Sequence, residues 1–344
     1  MTTINREATP EGDNIAGPNQ LHSDLHDIWG NPRGLKALTI VNHTTLGLRF
    51  MVTGMAFFLL GGLLGMLVRT QLALPDQDFM SPDIYSQVTT MHGTVMMFLF
   101  AIPMLEGLAI YMIPKMIGAR DLVCPRLTSL GYWCYLFGGI ILSFSLILEM
   151  APNSGWFMYT PLSGSEYSPG LGSDFWLLGI TFVEISALSA GVELVVSILR
   201  TRTQGMALHK MPLFAWYILA MALMIVVGFP PLILGSILLE LERAVGMPFF
   251  EVTGGGDPIL WQHLFWLFGH PEVYIIFLPA AGIVSTLIPV FAGRPIVGYG
   301  WVVFAITVTG FISFGLWVHH MFTVGIPQLA QAFFSAASIL VAVP

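Results

Sequence analysis

The side chains best suited to chemistry are the pair His319-His320 and an earlier segment that contains His270, Glu272 and Tyr274. Both sites lie within or beside long apolar stretches, where groups that ionise or bind metal are costly and usually functional. Three imidazoles can form a copper or zinc site. His270 and Tyr274 are four residues apart and share a helix face, so a phenol can stand beside a metal-bound imidazole. Glu272 points elsewhere.

Composition places these residues in a membrane. The chain is 55% hydrophobic and 10% charged, with a mean hydropathy of +0.77, whereas about a quarter of the residues of a soluble domain are charged. The sequence therefore predicts an integral membrane protein, and the net charge of -7 does not indicate a nucleic-acid partner. Cys124 and Cys134 show no pattern of a disulfide framework or zinc ribbon.

Hydropathy predicts an all-α, polytopic helix bundle. Residues 1–46 are polar and lack the basic start and short apolar core of a signal peptide, so we expect a soluble tail before a transmembrane domain at 47–344. Seven apolar runs are long enough to span a bilayer, and an eighth begins before the chain ends. The eight runs cover about 47–68, 88–114, 127–149, 174–199, 212–240, 259–291, 296–318 and 328 onward.

Charge predicts the orientation. With the tail in the cytoplasm, eleven Lys and Arg residues fall inside, and Arg69 and Arg243 fall outside. Because this bias over short loops follows the positive-inside rule, we expect a cytoplasmic N-terminus. The last apolar run stops at Pro344 without a polar cap, so we also expect the chain to be a fragment.

Five ordered motifs extend the evidence beyond the histidines: Thr90-Met91-His92-Gly93-Thr94, Pro125-Arg126-Leu127, residues 254–263, residues 265–274 and residues 319–325. From about residue 47 to the last residue, the chain closely resembles subunit I of the heme-copper oxidases of the cytochrome c oxidase type. The resemblance implies twelve helices, a low-spin heme, a high-spin heme, a copper ion (CuB), and reduction of dioxygen to water coupled to proton translocation. It also implies oxidase subunits II and III as partners, cytochrome c or a quinol as donor, and a bacterial inner membrane.

The resemblance assigns the low-spin heme to His92 and Arg69. His92 would be an axial ligand, Arg69 would hydrogen-bond the heme formyl group, and Gly93 would let the porphyrin approach the backbone. On their own, His92 reads as an interfacial histidine and Arg69 as a snorkelling cation.

The resemblance also assigns His270, His319 and His320 as copper ligands and Tyr274 as the tyrosine that the family links covalently to the first imidazole. A phenol can supply one electron and one proton when the O–O bond breaks. The alternative is a solvated outer His pair and a buried, hydrogen-bonded His270. We assign His263 to packing or to the interface.

Proton transfer is implied by further matches. Glu272 matches the family's inner proton relay, Asp121 its cytoplasmic entrance and Ser186 a channel serine. Ser285 and Ser338 match hydroxyl positions of a second route. The lysine of that route, a second low-spin heme ligand and the high-spin heme ligand are expected beyond Pro344.

The sequence departs from the family along the first route. Ile110, Thr128-Ser129 and Ala187 replace polar positions, while Glu106, Glu184 and Glu193 add acids within helices. Two interpretations stay open: hydrogen-bonded structural acids, or a rebuilt proton path that includes Glu184 and Glu193.

Alternative functions are a quinol oxidase, a nitric oxide reductase of the same superfamily, and a cofactor-free proton or solute carrier. Retention of Tyr274 argues against the reductase. A carrier would not need Arg69, His92 and the His270–Tyr274 segment together.

Overall fold

A computed structural model describes residues 20, 21, 23 and 34–344, and most of the predicted tail lies outside them. The described residues divide between Ile40 and Val41, and all the long helices belong to the second unit. They are α1 His43–Gln71, α2 Pro82–Ile117, α3 Pro125–Ile147, α4 Gly172–Arg200, α5 Leu213–Val245, α6 Pro258–Ala292 and α7 Tyr299–Met321, followed by a shorter α8, Gln328–Leu340.

The seven predicted spans are confirmed in number and order, because α1 to α7 are each long and apolar enough to cross a bilayer. The fold is an all-helical, multi-pass membrane bundle. Consecutive spans alternate in direction: the Thr203 amide after α4 bonds the Ile117 carbonyl at the end of α2, and Arg243 at the end of α5 pairs with Asp174 at the start of α4. The starts of α1, α3, α5 and α7 therefore share one side of the bundle with the ends of α2, α4 and α6. We call this the N-terminal side, and the opposite one the far side.

The start of α2 was placed too late by hydropathy. The helix begins at Pro82, where the Ser81 side chain accepts a hydrogen bond from the Ile84 amide and Asp83 lies in the first turn. Proline at the first helical position and an acid near the positive helix end are strong start signals. These polar residues fall outside an apolar run, so local capping chemistry, not hydropathy, fixes the boundary.

Prolines inside α2 free two backbone carbonyls that other helices satisfy. Pro103 cannot donate to Leu99, whose carbonyl instead accepts from the Tyr135 hydroxyl of α3 at 2.6 Å. Pro114 likewise frees the Ile110 carbonyl, which lies 3.2 Å from Nδ1 of His43. The segment Val95–Ala101, just before Pro103, is π-helical. These bonds join α2 to α1 and α3 in the interior.

Small residues let neighbouring helices approach backbone to backbone. A Cβ on Gly47 of α1 would lie 2.7 Å from the Gly107 carbonyl of α2, and one on Gly138 of α3 would lie 2.6 Å from the Gly179 carbonyl of α4. Such contacts are typical of membrane helices, whose association depends on close packing.

Candidate metal centre

The three predicted metal-binding histidines come together. His270 lies in the middle of α6, and His319 and His320 lie in the 3-10 turn that ends α7. One potential ligand atom from each ring lies within 4.8 Å of the other two. Nδ1 of His270 is 3.1 Å from Nε2 of His320. Two imidazole nitrogens at about 2.0 Å from one ion would be separated by a similar distance, so the cluster fits a single copper.

Neighbouring side chains fix the orientation of two of these rings. Nδ1 of His319 lies 2.7 Å from the Ser338 hydroxyl of α8, which leaves Nε2 for a ligand. The Trp266 indole stacks on His320 at 3.8 Å between ring centroids, with an interplanar angle of 3°. Contacts of this kind set the tautomer and direction of metal-binding imidazoles. The sequence did not indicate this role for Ser338.

The Trp266 indole is itself held by Tyr159, in the loop between α3 and α4. Its Nε1 donates to the Tyr159 hydroxyl. Burial raises the pKa of Tyr159 above its ordinary value, an effect that the Trp266 hydrogen bond partly offsets. The phenol therefore stays neutral at physiological pH and can accept this bond.

Tyr274 lies beside His270, as the i, i+4 spacing predicted. The two ring centroids are 5.0 Å apart at an interplanar angle of 54°. Nε2 of His270 is buried and has no hydrogen-bond partner in the part of the chain that the structure describes. A buried polar nitrogen is costly unless it is bonded. The two rings are neighbours, and the covalent link that the family resemblance implies stays a prediction.

His263 lies outside the histidine cluster. Its Nδ1 accepts a hydrogen bond from the Trp317 indole at 3.2 Å. This contact agrees with the packing role predicted for it.

A separate histidine outside the cluster, His92 of α2, lies against the glycine-rich face of α1. Nδ1 of His92 is 2.8 Å from the Gly61 carbonyl, so Nε2 remains available as a ligand. A Cβ on Gly65 would lie 2.9 Å from Cε1 of His92. His92 and Gly65, together with Arg69 of α1, line an open groove of about 650 Å³ whose walls also include Gly62, Met66 and Thr70. An oriented imidazole beside an apolar groove fits a heme.

Gly93 of α2 lies beside a tryptophan, and its close approach to a porphyrin stays a prediction. A Cβ at Gly93 would lie 2.8 Å from the Trp156 indole, so the missing side chain makes room for a tryptophan. The glycines that lie closest to the His92 ring belong to α1.

Glu272 is completely buried in α6. Neither of its carboxyl oxygens has a hydrogen-bond partner among the described residues. Since an unpaired carboxylate in an apolar interior is very costly, the group must be protonated or hydrated.

Glu193 of α4 holds the start of α3. Its two carboxyl oxygens accept from the Thr128 hydroxyl at 2.6 Å and from the Cys124 amide at 2.9 Å. Cys124 is the N-cap residue of α3, and a thiol is a weak acceptor, so Glu193 caps the helix from a neighbouring one. One turn later in α4, Ser197 accepts from the Val123 amide. Asp121, whose carboxylate accepts from the Leu122 amide, lies in the same loop.

Glu184 lies on the opposite face of α4. It is nine residues from Glu193, or two and a half turns at about 3.6 residues per turn. One carboxyl oxygen accepts from Ser236 of α5 at 3.1 Å, and the other is buried without a partner in the described part of the chain. Ser186 shares the Glu193 face and lies beside Gly131 of α3. The structure does not bring Glu184 and Glu193 together.

The two serines of the expected second route lie apart from these acids. The Ser285 hydroxyl of α6 is 3.0 Å from the Tyr217 hydroxyl of α5. Ser338 contacts His319, as described above, and also donates to the Phe334 carbonyl.

Comparisons with known proteins agree with this geometry. The family profile described as cytochrome c and quinol oxidase polypeptide I matches residues 45–344. Cytochrome c oxidase subunit 1 of Bacillus subtilis (strain 168) is 45% identical over 307 residues, which are 89% of this chain and 49% of the relative.

Two other relatives differ in their named type. The heme-copper oxidase subunit I+III of Aeropyrum pernix is 42% identical over 89% of this chain and 38% of its own length. Quinol oxidase subunit 1 of Bacillus subtilis (strain 168) is 39% identical over 89% of this chain and 47% of its own length. The chain spans about half the length of the curated relatives it matches.

Proposed function

The chain belongs to the heme-copper oxidase subunit I family, and from this premise we propose that it forms the catalytic core of a terminal respiratory oxidase. The reaction is reduction of dioxygen to water, coupled to proton translocation. The observation that carries the proposal is the cluster of His270, His319 and His320, with Tyr274 beside the first ring.

Each residue of the cluster has a definite task in this proposal. The three imidazoles hold one copper, and Ser338 and Trp266 keep two of the rings in place. When bound, copper and a high-spin heme would supply electrons for the reduction of dioxygen. The Tyr274 hydroxyl would supply one electron and one proton. His92 and Arg69 would hold the low-spin heme, with the imidazole oriented by the Gly61 carbonyl.

We propose cytochrome c as the electron donor, because the relative with the highest identity among those compared above is named a cytochrome c oxidase. A quinol is the second candidate, because a relative of similar coverage is named a quinol oxidase. Oxidase subunits II and III are the proposed partners. The relative that fuses subunits I and III supports subunit III as a partner. Comparing oxygen consumption with reduced cytochrome c and with a quinol separates the two donors.

The proposed proton entrance is Asp121, on the N-terminal side of the bundle, and Glu272 is the proposed inner relay. The excess of Lys and Arg predicted for this side supports a cytoplasmic assignment, in a bacterial inner membrane. Ser285 and Ser338 are the proposed hydroxyls of a second route. Glu193 lies beside this proposed entrance. Glu184 instead faces α5, so its place in the same proton path stays a prediction.

A reduced-minus-oxidised heme spectrum and a copper assay on the purified holoenzyme test the function. The proposal requires the spectral bands of two hemes, and it requires one copper ion bound at this centre. A cofactor-free carrier would show neither, and that result would exclude the oxidase.

A further inference from the structure

Glu106 is an acid in the interior of the bundle that the proposed function does not yet use. It is 1% exposed and lies at the centre of the buried face of α2, between Ile102 and Ile113. The half of α2 that carries it, Ile102–Ile117, contacts α1, α4, α5 and α6. Its Oε1 atom is buried and has no hydrogen-bond partner within the described residues. An acid at such a position in a membrane helix is expensive and usually functional.

The depth of Glu106 follows from a ring contact between α2 and α6. Phe98 and Phe268 stack with centroids 6.0 Å apart, and both helices run from the far side to the N-terminal side. Glu106 is eight residues beyond Phe98, and Glu272 is four beyond Phe268. At about 1.5 Å per residue of α-helix, and slightly less in the π-helical segment, Glu106 lies roughly one helical turn closer to the N-terminal side than Glu272.

Other polar groups lie between Glu106 and the N-terminal side of the bundle or at that side. Asp121 follows the end of α2, and three residues later in the same loop the Cys124 amide donates to Glu193. Ser186 lies about two turns from Glu193 on the same face of α4, in the direction of the far side. The Ser186 hydroxyl is buried and lacks a partner in the described part of the chain. Polar atoms left in this way are the usual sites of internal water.

The contrast with Glu193 argues against a purely structural role for Glu106. Both carboxyl oxygens of Glu193 are hydrogen-bonded, one to the Cys124 amide and one to the Thr128 hydroxyl of α3. The nearby Tyr135 has already given its single hydroxyl proton to the Leu99 carbonyl, so it cannot donate to Glu106. A carboxyl group with an unbonded oxygen must keep its proton or contact water.

We propose that Glu106 is a proton-carrying residue between Asp121 on the N-terminal side and the level of Glu272. The inference rests on the proposed function. In each transfer the O–H bond of the Glu106 carboxyl breaks, the proton passes through water toward the far side, and a proton from the N-terminal side restores the O–H bond. No oxidant or reductant is involved. In this proposal Glu106 supplies a proton-carrying group where the family's polar residues are replaced by Ile110 and Ala187.

Glu106→Gln in the holoenzyme tests this inference, because glutamine keeps the shape but cannot carry the proton. Both hemes and copper should remain, while proton uptake during oxidation should slow by about a hundredfold. A protonated-carboxyl band in the redox infrared difference spectrum should disappear. Glu184→Gln is the matched comparison, since Glu184 is equally buried but faces α5. It should keep that band and slow uptake less.

Wild-type uptake in Glu106→Gln, or an unchanged carboxyl band, overturns the inference and leaves the oxidase function intact. Absence of heme and copper from the unmodified holoenzyme would instead reject the function itself. If Glu106→Gln fails to assemble, Glu106→Asp retains an acid and is measured in its place. A shifted band with slowed uptake supports the proposal, and an unshifted band with wild-type uptake contradicts it.

Discussion

Nδ1 of His319 in α7 lies 2.7 Å from the Ser338 hydroxyl in α8. This contact joins a predicted copper ligand to a residue that the sequence assigned to a proton route. The hydroxyl also donates to the Phe334 carbonyl of its own helix, so it accepts from His319. His319 is then protonated at Nδ1, and its Nε2 atom is the one that can bind metal.

Removing that hydroxyl should weaken copper binding. We expect Ser338→Ala to lower the copper affinity of the holoenzyme by about 10- to 100-fold, as for other residues that orient metal-bound imidazoles. Copper retained during dialysis against a chelator measures the effect. Ser143→Ala is the control, because the Ser143 hydroxyl donates to the Gly139 carbonyl of its own helix. Equal copper retention in the two variants would show that Ser338 does not orient His319.

Loss of the Glu193 carboxylate should loosen the start of α3. We expect Glu193→Ala to lower the stability of the start of α3 by about 1 kcal/mol, as for other lost N-caps. Hydrogen exchange at the Cys124 amide should become faster. Hydrogen-exchange mass spectrometry of residues 121–128 in the holoenzyme measures this effect. Glu240→Ala, at a half-buried acid of α5, is the comparison. Unchanged exchange in Glu193→Ala would mean that the cap is dispensable.

A side chain at Gly65 should disturb the His92 site. The added Cβ of Gly65→Ala would lie 2.9 Å from Cε1 of His92, closer than ordinary Cβ contacts allow. We expect a shifted or lost low-spin heme spectrum while copper stays bound. Gly300→Ala is the control, since a Cβ there meets open space within a helix. A normal low-spin spectrum in Gly65→Ala would contradict the assignment of this groove to heme.

Long apolar runs and the spacing of residues along a helix made much of this structure predictable. The seven spans follow from uninterrupted apolar runs. The contact between His270 and Tyr274 follows from helical spacing alone. The cluster with His319 and His320 required the family resemblance, because the sequence does not say which helices are neighbours.

Other features depend on contacts between distant residues and could not be read from local sequence. Glu193 caps a helix that begins almost seventy residues earlier. Glu184 accepts a hydrogen bond from Ser236 of α5, more than fifty residues later in the chain. Gly93 has a tryptophan from a distant loop beside it. In each case the partner, and therefore the role, is set by tertiary packing.

The copper content of His319→Ala tests the central claim most directly. Removal of one of three ligands should abolish copper and oxygen reduction, because two imidazoles leave the ion under-coordinated, while the low-spin heme at His92 remains. His209→Ala, at an exposed histidine outside the bundle helices, should retain both metals and activity. Loss of copper in His319→Ala with an intact low-spin heme spectrum is the predicted result. Stoichiometric copper in that variant would contradict the assignment of this cluster as the metal centre.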